Sequence, residues 1–190
     1  LTLKLRRMKN NQNIAVIGGG SWATAIVKML TENLESIGWY MRNKHAIAHI
    51  NENYHNPKYL SSAELDANIL DLSNDINYIV EKYDILIFAI PSAFLTSELK
   101  KLTASLDHKI LFSAIKGIVP ETGLIIGEHF NQKYNIPLEN IGVITGPCHA
   151  EEVAMERLSY LTIACIDEEK ANKMAHSLES WYINVKTSDD

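Results

Sequence analysis

Apolar and polar positions along this chain follow two alternating periods. Ile14 to Ile17 form a short unbroken apolar run, the pattern of a parallel strand covered on both faces. After a cluster of glycines, Trp22, Ala25, Ile26, Met29 and Leu30 recur at helical spacing and predict an amphipathic helix that fades near Asn33. The same pair of signals repeats to the end of the chain. Further strands are predicted over 35–41, 69–72, 84–90, 109–115, 141–145, 160–166 and 181–186, with helices over 44–52, 74–82, 92–102, 123–130, 148–156 and 168–180. Pro91 should end the 84–90 strand and Ser92 should cap the helix after it. Residues 53–68, with Asn53, Asn56, Pro57, Ser61 and Ser62, read as a long loop of the kind that is functional or mobile. Strands alternating with helices over the whole length predict the α/β class, a doubly wound and mostly parallel sheet with helices on both faces.

The first strand–helix junction carries the most specific chemistry. Gly18 and Gly20 occupy the first two positions of G-x-G-x-x-G/A, and Ala23 takes the third. Gly18 permits a tight turn, Gly20 lets backbone approach a pyrophosphate, and Ala23 keeps the helix close to the strand. The helix N-terminus then offers unpaired N–H groups and partial positive charge to an anion. The motif alone is weak, and a purely structural βα turn is the plain alternative. A strand before it and a helix after it meet the context the motif requires, which makes the sheet Rossmann-type and the ligand a dinucleotide.

Other unusual residues gather at strand ends, where open parallel sheets bind ligands. Arg42 follows the second strand, Pro91-Ser92 the fourth, Lys116-Gly117 the fifth and Gly146-Pro147-Cys148 the sixth. Arg42 stands where an NAD site usually has an acid for the ribose hydroxyl. An arginine there suits a 2′-phosphate or stacks on adenine, so NADP is as admissible as NAD; a solvated surface arginine is the alternative. Lys116 is either an exposed structural lysine or a cation that holds a phosphate or polarises a carbonyl.

Composition narrows the class rather than the chemistry. A chain of 190 residues, 46% hydrophobic and 22% charged, suits one globular domain with a good core. The formal net charge of −5 argues against a general nucleic-acid or anionic-membrane binder. No apolar run approaches the roughly 20 residues needed to span a bilayer. Cys148 and Cys165 fit a reduced, cytoplasmic protein without a disulfide framework. His45 and His49 share a helix face without a third ligand nearby, so no metal site is expected. The head, Leu1 to Arg7, is basic and too short in apolar residues for a secretory signal. Met8 reads as the natural start, with 1–7 an appended or disordered extension and 8–190 a single NAD(P)-binding domain.

Taken together, the blocks resemble the NAD(P)-dependent glycerol-3-phosphate dehydrogenase family. They are 18–25 (GGGSWATA), 40–43 (YMRN), 56–60 (NPKYL), 89–92 (AIPS), 113–118 (SAIKGI) and 146–154 (GPCHAEEVA), in the family's order. The resemblance implies reversible hydride transfer between a reduced nicotinamide and dihydroxyacetone phosphate, giving sn-glycerol 3-phosphate for phospholipid synthesis. It implies that Ser21, Trp22, Arg42 and Ala150 touch the coenzyme, that Lys116 lies near both nicotinamide and substrate as the catalytic cation, and that Gly146 and Cys148 line the substrate side. The family often has serine or threonine where this chain has Cys148, a weaker hydrogen-bond donor, and a proline after the position of Tyr59 that is absent here. It also implies a following helical domain with a second catalytic lysine, a homodimer for the whole protein, and a cofactor domain inactive by itself. Two other readings are another two-domain hydroxy-acid or keto-acid dehydrogenase, and a nucleotide sensor without chemistry of its own.

Overall fold

The computed structural model describes residues 12–189, so the head expected at 1–7 lies outside the described residues. Eight strands form one sheet: β1 (Ile14–Ile17), β2 (Ile37–Tyr40), β3 (Leu70–Ser73), β4 (Ile85–Phe88), β5 (Ile110–Ser113), β6 (Ile141–Thr145), β7 (Ser159–Cys165) and β8 (Ile183–Ser188). Their order across the sheet is β3-β2-β1-β4-β5-β6-β7-β8. Every neighbouring pair is parallel except β6 and β7. The helices between them are α1 (Ser21–Thr31), α2 (Lys44–Asn53), α3 (Ile76–Lys82), α4 (Ser92–Leu99), α5 (Ile126–Tyr134), α6 (Ala150–Ala154) and α7 (Glu168–Leu178). This is the doubly wound α/β fold that the alternating pattern predicts.

Strand alternation splits the core in two. Ile14, Val16, Trp39, Ile87, Phe112 and Ile144 point to a layer closed by α1, α6 and α7. Ala15, Ile17, Leu86, Phe88 and Leu111 point to the other, closed by α3, α4 and α5. Each fully buried isoleucine contributes about 1.5–3 kcal/mol relative to exposure, so β1, buried at every residue, anchors both layers. α6 explains the one antiparallel step. Its five residues span only about 7.5 Å, too short to carry the chain back to the far end of the sheet, so β7 starts from the rim where β6 stopped. Beyond α5, one face of β6–β8 stays open: Val143 and Tyr160 are exposed there, with Thr145 and Asn184 beside them.

Three local expectations shift. Ser92 is the first residue of α4 rather than its cap; Pro91, extended at φ −60°, precedes the helix and brings no side-chain bond. α5 starts later than 123 because Gly123, at φ +70°, closes a turn whose amide donates to the Val119 carbonyl. It runs on to Tyr134, where Asn135 adopts the left-handed conformation. The loop expected over 53–68 is shorter, because α2 keeps Asn53 and a 3-10 turn takes Ala67–Ile69, and within it Asn56 is only 1% exposed.

Candidate functional site

The glycine turn joins β1 to α1 with every carbonyl turned inward. The Trp39 indole donates to the Gly18 carbonyl at 2.6 Å, the Asn56 amide to that of Gly19 at 3.3 Å, and the Thr24 hydroxyl to that of Gly20 at 2.9 Å. Three side chains thereby satisfy the acceptors; the Gly18 amide donates to the Tyr40 carbonyl at 3.0 Å, and the amides that follow it, at the start of α1, are the ones left for an anion. Gly18 sits at φ +139°, and a Cβ there would collide with the Ala89 carbonyl oxygen on the neighbouring strand's extension. Gly20 differs: its φ is ordinary and a Cβ would meet nothing within 4 Å. That open space at a helix start with no side-chain cap is room for a pyrophosphate against unpaired N–H groups.

On the β2 and β4 side of the turn lies a cavity of about 300 Å³, lined by Gly18 to Gly20, Arg42, Asn56, Lys58, Pro91, Phe94 and Glu98 among others. The Arg42 guanidinium stands 5.4 Å over the Phe94 ring, and its Nη1 is 3.4 Å from Glu98 Oε1. Glu98 is 2% exposed, a buried carboxylate with three donors. The Tyr40 hydroxyl donates to it at 2.7 Å, and the Lys101 ammonium at 3.0 and 3.1 Å. Burial, then the bond to Glu98 and its charge, push the Tyr40 phenol well above its ordinary value, so Tyr40 remains a donor. Asn43 caps α2, accepting from the amides of His45 at 3.0 Å and Ala46 at 3.3 Å, and so fixes the turn that carries Arg42.

A second cavity, about 350 Å³, opens on the β5 and β6 side of the same rim, between Trp22, Lys116, Gly117, Thr145, Gly146 and Cys148. Lys116 is exposed and leaves the end of β5. Gly146 has φ +129°, and a Cβ on it would come within 2.7 Å of the Tyr160 carbonyl, so only glycine lets β6 leave the sheet this close to β7. Burial raises the Cys148 thiol, while a bond from Ser159 and the nearby Lys116 charge pull the other way. Cys148 is therefore a neutral thiol at physiological pH.

The rim gathers most of the residues expected from the sequence. Gly18, Gly20, Arg42 and Pro91 line the first cavity; Trp22, Lys116, Gly146 and Cys148 line the second. Ser21, Ala23 and Ala150 line neither. Ser21 opens α1, Ala23 is fully buried, and Ala150 is packed in the core at the start of α6, 8% exposed. Among the described residues no group of three or more His, Cys, Asp or Glu could hold a metal; His49 meets His55 rather than His45, Nε2 to Nε2 at 3.1 Å. No helix among the described residues is long and apolar enough to cross a membrane. Glu98 and Phe94 were not foreseen. Nothing in the local pattern of α4 marks its single acid as facing the rim.

A glycine turn at a helix start, with two cavities along one rim of a doubly wound sheet, defines a Rossmann-type dinucleotide-binding domain. Comparison with known proteins narrows the class. Residues 13–171 match the family model described as the N-terminus of NAD-dependent glycerol-3-phosphate dehydrogenase, and the chain belongs to that family. Curated relatives called glycerol-3-phosphate dehydrogenase [NAD(P)+] include one from Lysinibacillus sphaericus, 32% identical over 184 residues that cover 94% of this chain and 53% of the relative. Another, from Ectopseudomonas mendocina, is 32% identical over 183 residues, covering 96% and 53%. The solved glycerol-3-phosphate dehydrogenase of Plasmodium falciparum shares the fold with a TM-score of 0.83 at 23% identity, over 95% of this chain and 53% of that one. That of Coxiella burnetii gives 0.80 at 20%, over 95% and 55%. The chain spans about half the length of the curated relatives it matches.

Proposed function

We propose that this chain is the coenzyme-binding part of an NAD(P)-dependent dehydrogenase that interconverts dihydroxyacetone phosphate and sn-glycerol 3-phosphate, a precursor for phospholipid synthesis. One observation carries the reading: the open space at Gly20 and the exposed cation of Lys116 stand on the same rim, in cavities on the two sides of α1's start. The amides at the N-terminus of α1 bind the pyrophosphate, with Gly18 making the tight turn, Gly20 giving the close approach and Ser21 and Ala23 following in the helix. Arg42 and Pro91 hold the adenosine end, and Trp22 borders the nicotinamide end. When bound, the reduced nicotinamide supplies the hydride. Lys116 then keeps positive charge beside the carbonyl oxygen as negative charge grows on it, the interaction that is stronger in the transition state than before it. Gly146 and the Cys148 thiol border the substrate.

The substrate's phosphate and a second lysine belong, in this reading, to the part of the relatives' length that this chain does not span. The open face of β6–β8 would lie against that part. The chain alone would therefore bind coenzyme and turn over little or nothing, and the whole protein would be a cytoplasmic homodimer. Titrating the chain with NADH and NADPH while following tryptophan fluorescence tests the reading, because Trp22 lines the second cavity. Saturable quenching that a Trp22→Phe variant loses is expected. Absence of saturable binding of either coenzyme up to millimolar concentration would overturn it.

A further inference from the structure

We propose that Glu98 makes the adenosine end of the cavity select against a 2′-phosphate, favouring NADH over NADPH. The inference rests on the reading of the first cavity as the coenzyme site. NAD sites ordinarily place an acid at the end of β2, where it takes the ribose hydroxyls and repels a 2′-phosphate. Here β2 ends on Arg42, which by sequence invites that phosphate. The fold returns an acid to the same place from another element. Glu98 reaches the cavity from α4, the helix that follows β4, which lies two strands along the sheet from the β2 whose end carries Arg42.

Two features make its carboxylate more than a neighbour. First, it occupies the arginine. Arg42 Nη1 lies 3.4 Å from Glu98 Oε1 while the guanidinium lies over Phe94, so a 2′-phosphate must compete with a carboxylate already in place. Second, the carboxylate is fixed. At 2% exposure, with Tyr40 donating at 2.7 Å and Lys101 at 3.0 Å, it cannot swing away to make room. A 2′-phosphate carries about −1.5 to −2 charges at neutral pH, and screening inside a small cavity is weaker than in bulk water. The ribose hydroxyl of NADH carries no such charge, and Arg42 held over Phe94 remains able to stack on adenine.

The test is the ratio of NADPH to NADH affinity, measured by fluorescence titration of this chain. Glu98→Gln keeps an acceptor for Tyr40 and removes the charge; it should shift the ratio towards NADPH by about tenfold or more, the scale of one unit charge across such a distance. Loss of packing alone would weaken both coenzymes together and leave the ratio where it was. Lys101→Met removes a half-exposed partner of the carboxylate and should shift the ratio the other way, which decides the matter if Glu98→Gln does not fold. A ratio that moves less than threefold in the folded variants, or moves in the opposite direction, overturns the role of Glu98 while leaving the coenzyme site intact. Failure of the unsubstituted chain to bind either coenzyme overturns the coenzyme reading and this inference with it.

Discussion

The Asn56 side chain donates to the Thr24 hydroxyl at 3.0 Å, tying the loop after α2 to the first turn of α1. The same amide reaches the Gly19 carbonyl, and the Asn56 oxygen accepts from the amides of Lys58 at 3.1 Å and Tyr59 at 3.3 Å. One buried side chain thus fixes both the glycine turn and the loop that walls its cavity. Asn56→Ala leaves Thr24 and the loop amides without these partners. It should cost about 1–3 kcal/mol, the price of orphaned buried polar groups, and weaken coenzyme binding as well. Urea denaturation alongside NADH titration measures both; unchanged stability would remove Asn56 from this role.

The two glycines of the turn should respond differently to a methyl group. Gly18→Ala places a Cβ against the Ala89 carbonyl at a φ of +139°, and should unfold or severely destabilise the chain. Gly20→Ala meets no protein atom within 4 Å. It should cost only about 1 kcal/mol, the difference between glycine and alanine as an N-cap, yet weaken coenzyme binding about tenfold or more by filling the space meant for pyrophosphate. Thermal melts and coenzyme titrations on the pair separate the two effects.

Lys116 is exposed and its role is charge rather than packing. Lys116→Met should leave the melting temperature unchanged while lowering turnover of dihydroxyacetone phosphate by the whole protein about 10²–10³-fold, as removing one transition-state charge partner does. Undiminished turnover would remove the cation from the mechanism and favour a sensing or binding role for the domain.

His129 predicts an acid-sensitive stability. Both ring nitrogens lack a hydrogen-bond partner among the described residues. Burial, reinforced by the Lys133 charge, lowers its pKa below the ordinary value of 6.5. As pH falls through 6.5 the unfolded chain takes a proton that the folded chain refuses, so stability present above that pH is lost on acidification. Melting temperatures between pH 8 and 5 should fall less steeply in His129→Leu, which also removes an unsatisfied buried group.

Alkaline pH works through the opposite groups. Burial raises the thiols of Cys148 and Cys165 and the phenols of Tyr40 and Tyr182, and pushes Tyr83 up to about 12. The folded chain therefore holds protons that the unfolded chain releases as pH rises past about 9, and stability should decline from there. Both cysteines should react slowly with thiol reagents at pH 7 until the chain is unfolded. Rapid labelling of the native chain would contradict the neutral, buried thiol.

Most of the architecture was legible because strand and helix periods are local properties of the chain. The run Ile14 to Ile17, the spacing from Trp22 to Leu30 and the apolar block around Ile85–Phe88 each specify an element whatever surrounds them. Boundaries moved where turn chemistry outweighed periodicity, as at Gly123 and Pro91. Two residues expected against the coenzyme by family pattern, Ser21 and Ala150, line neither cavity; Ala150 lies in the core, where α1 packs on α6, and Ala23 is fully buried, as its packing place in the glycine motif requires.

By itself the sequence determined the class of fold, the order of its elements and the turn on which a pyrophosphate rests, since glycines between a strand and a helix need no distant partner to bend the chain. Only the tertiary structure decided what faces Arg42. Tyr40 and Glu98 stand 58 residues apart and meet because β2 and α4 reach the same corner of the sheet. The direction of β7 was likewise decided there, by the short reach of α6. Side-chain alternation records which face of a strand is buried, but it holds no information about which strand or which charge lies alongside.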